Sequence, residues 1–462
     1  MLKTKQSVLH FIKLSQTSDW NIKQIVSQVF FSSKYDKVSI GKCIKRSKNE
    51  VVIQDDTFYK RLTIKTKGGG VSVRDELIGK EIKTKNQYLV SSGQLAVSKI
   101  DARNGAFGIV PLEADNAIIT GNFWVFEVDK NIVFPQFLVM LLSSEQFVQA
   151  WLECSNGSGN RLYLQEDKFL KYKIPIPPIP EQQALLDKYN TGMDKADEAE
   201  NQSKTLNDRI DGIISEYMNC SENKEESISS ALLKVKAFSK MMNWGAKFNA
   251  NAISPKELFF SKQYRNVALS SVAEVNPTTK YPEHIINEKI TFLPMECISD
   301  VYGEISELRE GNVANAKGYT RFQENDILWA KITPCMQNGK CAIARNLENG
   351  YGYGSTEYHV IRANKEKVLP EYLYCFLRTR LVREVAQAYF SGSAGQQRVG
   401  ADFLENLNIP LLPIKSDDKS QMTQKTMVKQ VFDVKAKIKA LRKEAESLRQ
   451  RAKKEFEEVI FQ

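Results

Sequence analysis

Phe31-Ser32-Ser33-Lys34-Tyr35-Asp36-Lys37-Val38-Ser39-Ile40 returns 229 positions later as Phe260-Ser261-Lys262-Gln263-Tyr264-Arg265-Asn266-Val267-Ala268-Leu269. A tryptophan precedes each copy, Trp20 and Trp244. Lys99-Ile100 followed by Asn104-Gly105 returns as Lys331-Ile332 followed by Asn338-Gly339, an offset of 232 to 234. Pro135-Gln136-Phe137-Leu138 returns as Pro370-Glu371-Tyr372-Leu373, and Ile174-Pro175-Ile176-Pro177 as Ile409-Pro410-Leu411-Leu412-Pro413, an offset of 235. An offset this long and this steady marks a duplicated domain, since solenoid repeats run at ~20–50 residues. Two similar heads on one chain suit a ligand that presents two similar sites at a fixed distance.

The composition bounds what those heads can be. The 462 residues suffice for two to four domains, and 42% hydrophobic with 26% charged residues is ordinary for a globular chain. No apolar run approaches the ~18 residues of a membrane span. Residues 1–16 have neither a sustained apolar stretch nor a cleavage signal, so no signal peptide is read. The seven cysteines (Cys43, Cys154, Cys220, Cys297, Cys335, Cys341, Cys375) form no C-x-x-C pair. That pattern points to reduced thiols in a cytoplasmic protein and to no metal site. His10, His284 and His359 are too scattered for a histidine-based centre. The net charge of +10 favours an anionic partner such as nucleic acid.

Between about residues 30 and 180, short β-branched and aromatic runs are broken by Gly, Asn and Asp. Val51-Val52-Ile53, Arg61-Leu62-Thr63-Ile64-Lys65, Tyr88-Leu89-Val90 and Phe123-Trp124-Val125-Phe126 read as strands. Residues 135–151 read as one helix after an initial proline, and 370–390 as its counterpart. Ile327-Leu328-Trp329-Ala330-Lys331-Ile332 reads as a strand. Each head is therefore α+β, a twisted sheet with packed helices.

A long helix is expected after each head. Pro180-Glu181-Gln182-Gln183 starts the first, and Leu186, Tyr189, Met193, Ala196, Ser203, Leu206, Ile210, Ile213 and Tyr217 follow a three-four spacing with one slip. In the second, Val431, Val434, Ile438, Leu441, Ala445, Leu448 and Ala452 give an unbroken coiled-coil seam. Each would be roughly 60 Å long. Residues 181–219 hold nine acids against four bases, and residues 421–462 eleven bases against six acids. Opposite signs predict that the two helices pair with each other, antiparallel, with a head at either end of the rod. The domain limits expected are 1–180 for the first head with an N-terminal helical segment, 181–219 for the first long helix, 220–257 for a connector, 258–413 for the second head and 418–462 for the second long helix. Residues 9–30 are the expected counterpart of 231–259.

No P-loop and no G-x-S-x-G occurs. Asn276-Pro277-Thr278-Thr279 starts like the motif of amino-methyltransferases but lacks its second proline and aromatic, and reads as a turn. Gly68-Gly69-Gly70 reads as a flexible or tight turn, with no Lys-Ser/Thr after it to cradle phosphate. Two recurring loops are better candidates for contact with a polyanion: 99–107 with 331–340, and 155–161 with 391–398. Gly and Ser let a backbone approach phosphate, while Arg, Asn and Gln can bond base edges bidentately. Taken singly, an Asn-Gly is a hairpin turn and a Gly-Ser run a surface loop. Their recurrence in two heads that carry the excess charge favours DNA. The candidate DNA-binding residues are Lys99, Arg103, Asn104, Arg161, Lys331, Gln337, Asn338, Lys340, Gln396, Gln397 and Arg398.

Three stretches carry a family resemblance: Ser98-Lys99-Ile100-Asp101-Ala102-Arg103-Asn104-Gly105, Gly157-Ser158-Gly159-Asn160-Arg161, and Lys173-Ile174-Pro175-Ile176-Pro177-Pro178-Ile179-Pro180-Glu181-Gln182-Gln183. With these the chain resembles the specificity subunit of a type I restriction–modification system, over nearly its whole length. The second copy departs from the third stretch, because Ile414-Lys415-Ser416-Asp417-Asp418-Lys419 follows Pro413 without Pro-Glu-Gln-Gln.

The resemblance implies two target-recognition domains separated by two long antiparallel coiled-coil helices with pseudo-two-fold symmetry. Each domain would read half of a bipartite site on double-stranded DNA, and the helices would set the gap. It implies a chain without catalysis or cofactor of its own. Two methyltransferase subunits would bring S-adenosylmethionine, and motor–nuclease subunits ATP and Mg. A self-contained methyltransferase–nuclease and a coiled-coil scaffold without a DNA role are the rival readings.

Overall fold

A computed structural model describes residues 33–158, 161–218, 254–393, 395–418 and 420–461. The expected N-terminal helical segment, most of the connector, Cys220 and the 9–30/231–259 correspondence lie outside the described residues. The chain divides into two compact units, residues 1–197 with 445–462 and residues 198–444.

In the first unit a four-stranded antiparallel sheet runs in the order Ile44–Ser47, Phe123–Val128, Leu95–Ser98, Phe107–Ile109. In the second unit Ala273–Val275, Tyr358–Ala363, Ile327–Ala330 and Cys341–Ile343 have the same order and sense. The duplication read from the sequence is thus a duplicated frame. Each frame is closed by the same short ladder, Lys37–Ser39 with Lys173–Pro175 and Asn266–Ala268 with Asn408–Pro410.

These sheets are buried on both faces, which follows from the two-residue period of a strand. Leu95, Val97, Trp124 and Phe126 face the helices and meet Phe107, Phe137, Trp151 and Phe169. Their neighbours Ala96 and Val125 face the other way, toward Leu62, Ile64 and Ile119 of a second sheet. In the second unit Ile327, Trp329 and Ile361 face the helices, while Leu328 and Val360 meet Leu293 and Phe322. At ~2 kcal/mol for each large apolar side chain buried, these layers carry most of each unit's stability.

The second sheets break the likeness. The first unit has five strands, in the order Glu50–Val52, Asn86–Leu89, Ile118–Ile119, Phe58–Ile64, Val71–Ile78. The second has four, in the order Arg309–Asn312, Lys289–Leu293, Tyr351–Gly354, Thr320–Gln323.

The helix expected over 135–151 is two, Pro135–Leu142 and Glu145–Glu153, and its counterpart is also two, Pro370–Leu377 and Arg380–Ala388. The apolar spacing continues through both breaks, which is why it reads as one helix. The breaks come at hydroxyl residues that favour caps. Thr379 Oγ1 accepts a bond from the Val382 amide, whereas Ser144, at the corresponding position, makes no side-chain cap bond.

The long helices are Ile179–Met218, 40 residues, and Gln424–Ile460, 37 residues, the second starting six residues later than 418. Within the first unit the beginning of one lies along the end of the other: Tyr189 meets Phe456, and Lys188 pairs with Glu455 at 3.0 Å and Arg449 with Asp197 at 2.7 Å. Within the second unit the end of the first helix accompanies the start of the second, Ile210, Ile213 and Ile214 sharing a cluster with Met427 and Val431. Both units therefore show antiparallel pairing. The seam is largely as read, with Ala196, Ser203, Ile213, Val431, Ile438, Ala445 and Ala452 buried. The Lys188–Glu455 pair runs against the expected signs, and exposed pairs are worth at most ~1 kcal/mol, so apolar packing decides the association.

Gln182 and Gln424 join head to helix in the same way. Each is fully buried. Gln182 Nε2 donates to the carbonyls of Ile132 and Pro177, and its Oε1 accepts from the Phe134 amide. Gln424 Nε2 donates to Lys367 and Leu412, and its Oε1 accepts from Leu369. The glutamine that the second copy lacks after Pro413 is thus supplied by Gln424, behind a longer approach loop. Among the described residues no helix is long and apolar enough to cross a membrane.

Candidate nucleic-acid interface

In each head the buried third strand of the frame runs out into the first candidate loop, and the second candidate loop docks on its exit. The Lys99 carbonyl accepts from the Leu164 amide at 2.8 Å, tying down the hairpin Ser155–Ser158/Arg161–Leu164. The Lys331 carbonyl accepts from the Val399 amide at 3.0 Å, and the Thr333 amide donates to Gln397 at 3.0 Å, tying down Phe390–Ser391/Arg398–Val399. The structure so brings the two candidate loops of each head together.

In the first head the chain turns through Ala102–Asn104 into Gly105, whose φ of 73° suits glycine. Asn104 is exposed, and its side chain bonds Asp101 at 3.2 Å. Arg103 is half-buried. The hairpin tip carrying Gly68-Gly69-Gly70 sits on this turn, Lys67 N donating to Asn104 O at 2.7 Å and Gly68 N to Gly105 O at 2.9 Å. Of the two readings, flexible or tight turn, the tight one holds, and the turn serves as a brace. Arg161 opens its strand, while Gly159 and Asn160 lie outside the described residues.

Lys99 is half-buried with Nζ 5.5 Å from the Trp124 ring centroid. Arg46, from Ile44–Ser47, lies over the rings of Trp124 and Phe126 at 5.7 and 5.2 Å. Burial lowers the Lys99 pKa, and the Arg46 charge lowers it further. Burial lowers Arg46 as well, and its Nε and Nη1 have no acceptor. Glu166 approaches it only to 3.9 Å. Arg46 and Lys99 thus form a cationic pair on an aromatic floor, short of acceptors. Sequence reasoning missed Arg46. It is one of two bases in a short strand, and the register places apolar Val275 at its equivalent, since Arg46 faces Phe126 and Val275 faces Ile361.

The second head spends its candidates differently. Arg398 forks onto Glu357, Nε to Oε2 at 2.8 Å and Nη2 to Oε1 at 2.7 Å, and Nη1 donates to the Gln396 carbonyl at 2.8 Å. That bonding holds the Glu357 carboxyl below the usual glutamate range. Lys340 Nζ donates to the Met295 carbonyl at 2.9 Å. The Gln337 side chain bonds Thr333, and its carbonyl accepts from Arg383 Nη1 at 3.0 Å. Lys331 and Gln397 are half-buried, while Asn338 and Gln396 are exposed. Asn276 adopts φ 55°, bonds the His359 ring at 3.0 Å and accepts from the Val360 amide at 3.1 Å, a turn with a bracing role. His359 also reaches the Val399 carbonyl at 2.9 Å, so this imidazole fixes the hairpin to the frame. In the described part of both heads, Asn104, Asn338 and Gln396 offer exposed amides, with Lys99, Lys331 and Arg46 set behind them.

Residues 36–205 and 261–450 each match the family described as the type I restriction modification DNA specificity domain. The chain belongs to that family and carries its domain twice. It is 35% identical over 149 residues to the EcoEI specificity subunit of Escherichia coli, 32% of this chain and 25% of that protein. It is 36% identical over 152 residues to the EcoAI specificity subunit of the same organism, 33% of this chain and 26% of that protein. The alignments thus span about a quarter of the length of the curated relatives it matches. A solved chain, from work on complex assembly and conformational transition of the type I R-M system, superposes with a TM-score of 0.51 at 15% identity. That match covers 93% of this chain and 97% of the other, and it supports the fold alone.

Proposed function

We propose that this chain is the DNA-reading subunit of a type I restriction–modification complex. Each head reads one half of a bipartite duplex site, and the paired long helices set the unread gap and dock two methyltransferase subunits. Methyl transfer from S-adenosylmethionine and ATP-dependent cleavage belong to partner subunits. The observation that carries this reading is that each DNA specificity domain match includes one head and continues into a long helix.

The architecture favours two unlike half-sites. The frame and the docking of the two loops are common to both heads, whereas the second sheet differs in strand number and order. Such a head keeps one mode of approach to the DNA backbone while presenting a different surface to the bases. The net charge of +10 supplies the attraction for phosphate.

The test is methylome sequencing of a host expressing the chain with its methyltransferase partner, against a host lacking only this chain. A methylated motif of two short blocks around an unread gap, present only with the chain, is the expected result. Methylation that persists without the chain, or a continuous motif, overturns the reading.

A further inference from the structure

The second unit contains a cleft of about 620 Å³ that shares one residue, Asn338, with the candidate DNA-binding set. Its walls are the end of the first long helix, the start of the second, the 300–305 loop and the helix pair Pro370–Leu377/Arg380–Ala388. Seven Lys and Arg residues line it against four Asp and Glu.

Three of those cations are matched: Lys439 by Glu304, Arg345 by Glu371 and Arg380 by Glu384. The other four, Arg378, Arg383, Lys435 and Arg442, have no carboxylate within 4.0 Å among the described residues. Arg378 spends two nitrogens on the carbonyls of Gly339 and Asp300, at 2.9 and 3.1 Å. Arg383 Nε and Arg442 Nη1 are buried without any acceptor. Lys435 bonds the Tyr374 hydroxyl, with its Nζ 4.5 Å from that ring centroid and 5.2 Å from that of Phe432.

Gathering four positive groups in one partly dry cleft is costly without a counter-charge. Burial pushes Lys435 down to about 8 and lowers Arg383, and the neighbouring Arg378 adds to both shifts. Among the lining acids, Glu304 pairs with Lys439, and Asp211, which accepts the Arg380 amide, offsets only part of the shift at Arg383 from beyond ion-pair distance. The volume lies within the range of small-molecule sites, ~300–1,000 Å³.

We propose that this cleft binds a small multivalent oxyanion, phosphate- or carboxylate-bearing, held by Arg383, Lys435 and Arg442. Two of its arginines also grip the first candidate loop of the second head, Arg378 at the Gly339 carbonyl and Arg383 at the Gln337 carbonyl. The occupant therefore bears directly on how that loop is held. The site stands whether or not the chain reads DNA.

Calorimetric titration of the full chain with pyrophosphate and, separately, citrate in a low-chloride buffer tests it. Saturable one-to-one binding of at least one probe is expected, with pyrophosphate and citrate distinguishing phosphate from carboxylate. The Arg383→Gln/Arg442→Gln double variant should bind at least tenfold more weakly. Hydrogen exchange of the unmodified chain provides a readout that needs no variant, the probe protecting amides around residues 299–304 and 431–442. Binding of neither probe at millimolar concentration overturns the proposal and leaves the cations to an acidic segment of a protein partner. Undiminished binding by the double variant, or binding without protection of those amides, overturns it by placing the anion elsewhere.

Discussion

The guanidinium of Arg398 holds the carboxylate of Glu357 with two parallel bonds of 2.8 and 2.7 Å, across forty-one positions of sequence. The residue with the greatest apparent capacity to read guanine in the second head is thus already engaged. Its role is to fix the hairpin whose tip offers Gln396.

Glu357→Gln should therefore loosen that hairpin and relax the half-site read by the second head, leaving the other half unchanged in methylome maps. The pair also carries a pH dependence. Because the folded-state pKa of Glu357 is depressed, its stabilisation is complete above the ordinary glutamate pKa and is lost as pH falls through the lower folded value. Thermal melts of wild type and Glu357→Gln should differ near neutrality and converge in acid. A gap independent of pH would show that the pair adds nothing.

Removing the buried glutamine that joins a head to its long helix should be costly in either copy. Gln182→Ala and Gln424→Ala each strand one backbone amide and two carbonyls, which predicts a loss of ~2–4 kcal/mol in urea unfolding. Gln183→Ala, one position away but exposed and bonded only to Asp187, should change stability by less than ~0.5 kcal/mol.

Phe456 lies 5.3 Å from Phe137 and 6.5 Å from Tyr189, ring centre to ring centre. Phe456→Ala should cost ~3–4 kcal/mol, read as a lower midpoint of denaturation. Lys188→Ala, which removes only the exposed pair to Glu455, should cost under ~1 kcal/mol.

Lys99→Ala and Arg46→Ala should weaken DNA binding by the assembled complex at all sequences, each lowering the slope of affinity against salt by ~1. Gln396→Ala should leave that slope unchanged and alter one half of the methylated motif. An unaltered motif would remove Gln396 from the set of readers.

Deleting seven residues from each long helix shortens both by about 10 Å while keeping the seam in phase, equal to about three base pairs of duplex. The gap in the methylated motif should shrink by about that amount with both half-sites intact. An unchanged gap would separate the helices from any measuring role.

How far the sequence revealed this structure depended on whether a feature repeats locally. The frame strands were legible because Phe123-Trp124-Val125-Phe126 and Ile327-Leu328-Trp329-Ala330 announce themselves by their β-branched and aromatic composition. The paired helices were legible from the spacing of Val431 to Ala452. The break at Ser144 was not, because the apolar period runs through it and only the hydroxyl at the cap marks the stop. Gln424 escaped notice because its approach loop shares no motif with Pro180-Glu181-Gln182. At the candidate site, Lys99 and Lys331 were found through their repetition. Arg46 repeats nowhere, and the engagement of Arg398 depends on Glu357, which arrives through the sheet rather than along the chain.

The unequal second sheets lie on frames of equal register, and each frame reaches its long helix through its own buried glutamine. The layer facing away from the helices is therefore free to diverge without disturbing the joint that carries it. A lineage needing a new address can rewrite that layer in one half, keep the other, and inherit the assembly unchanged.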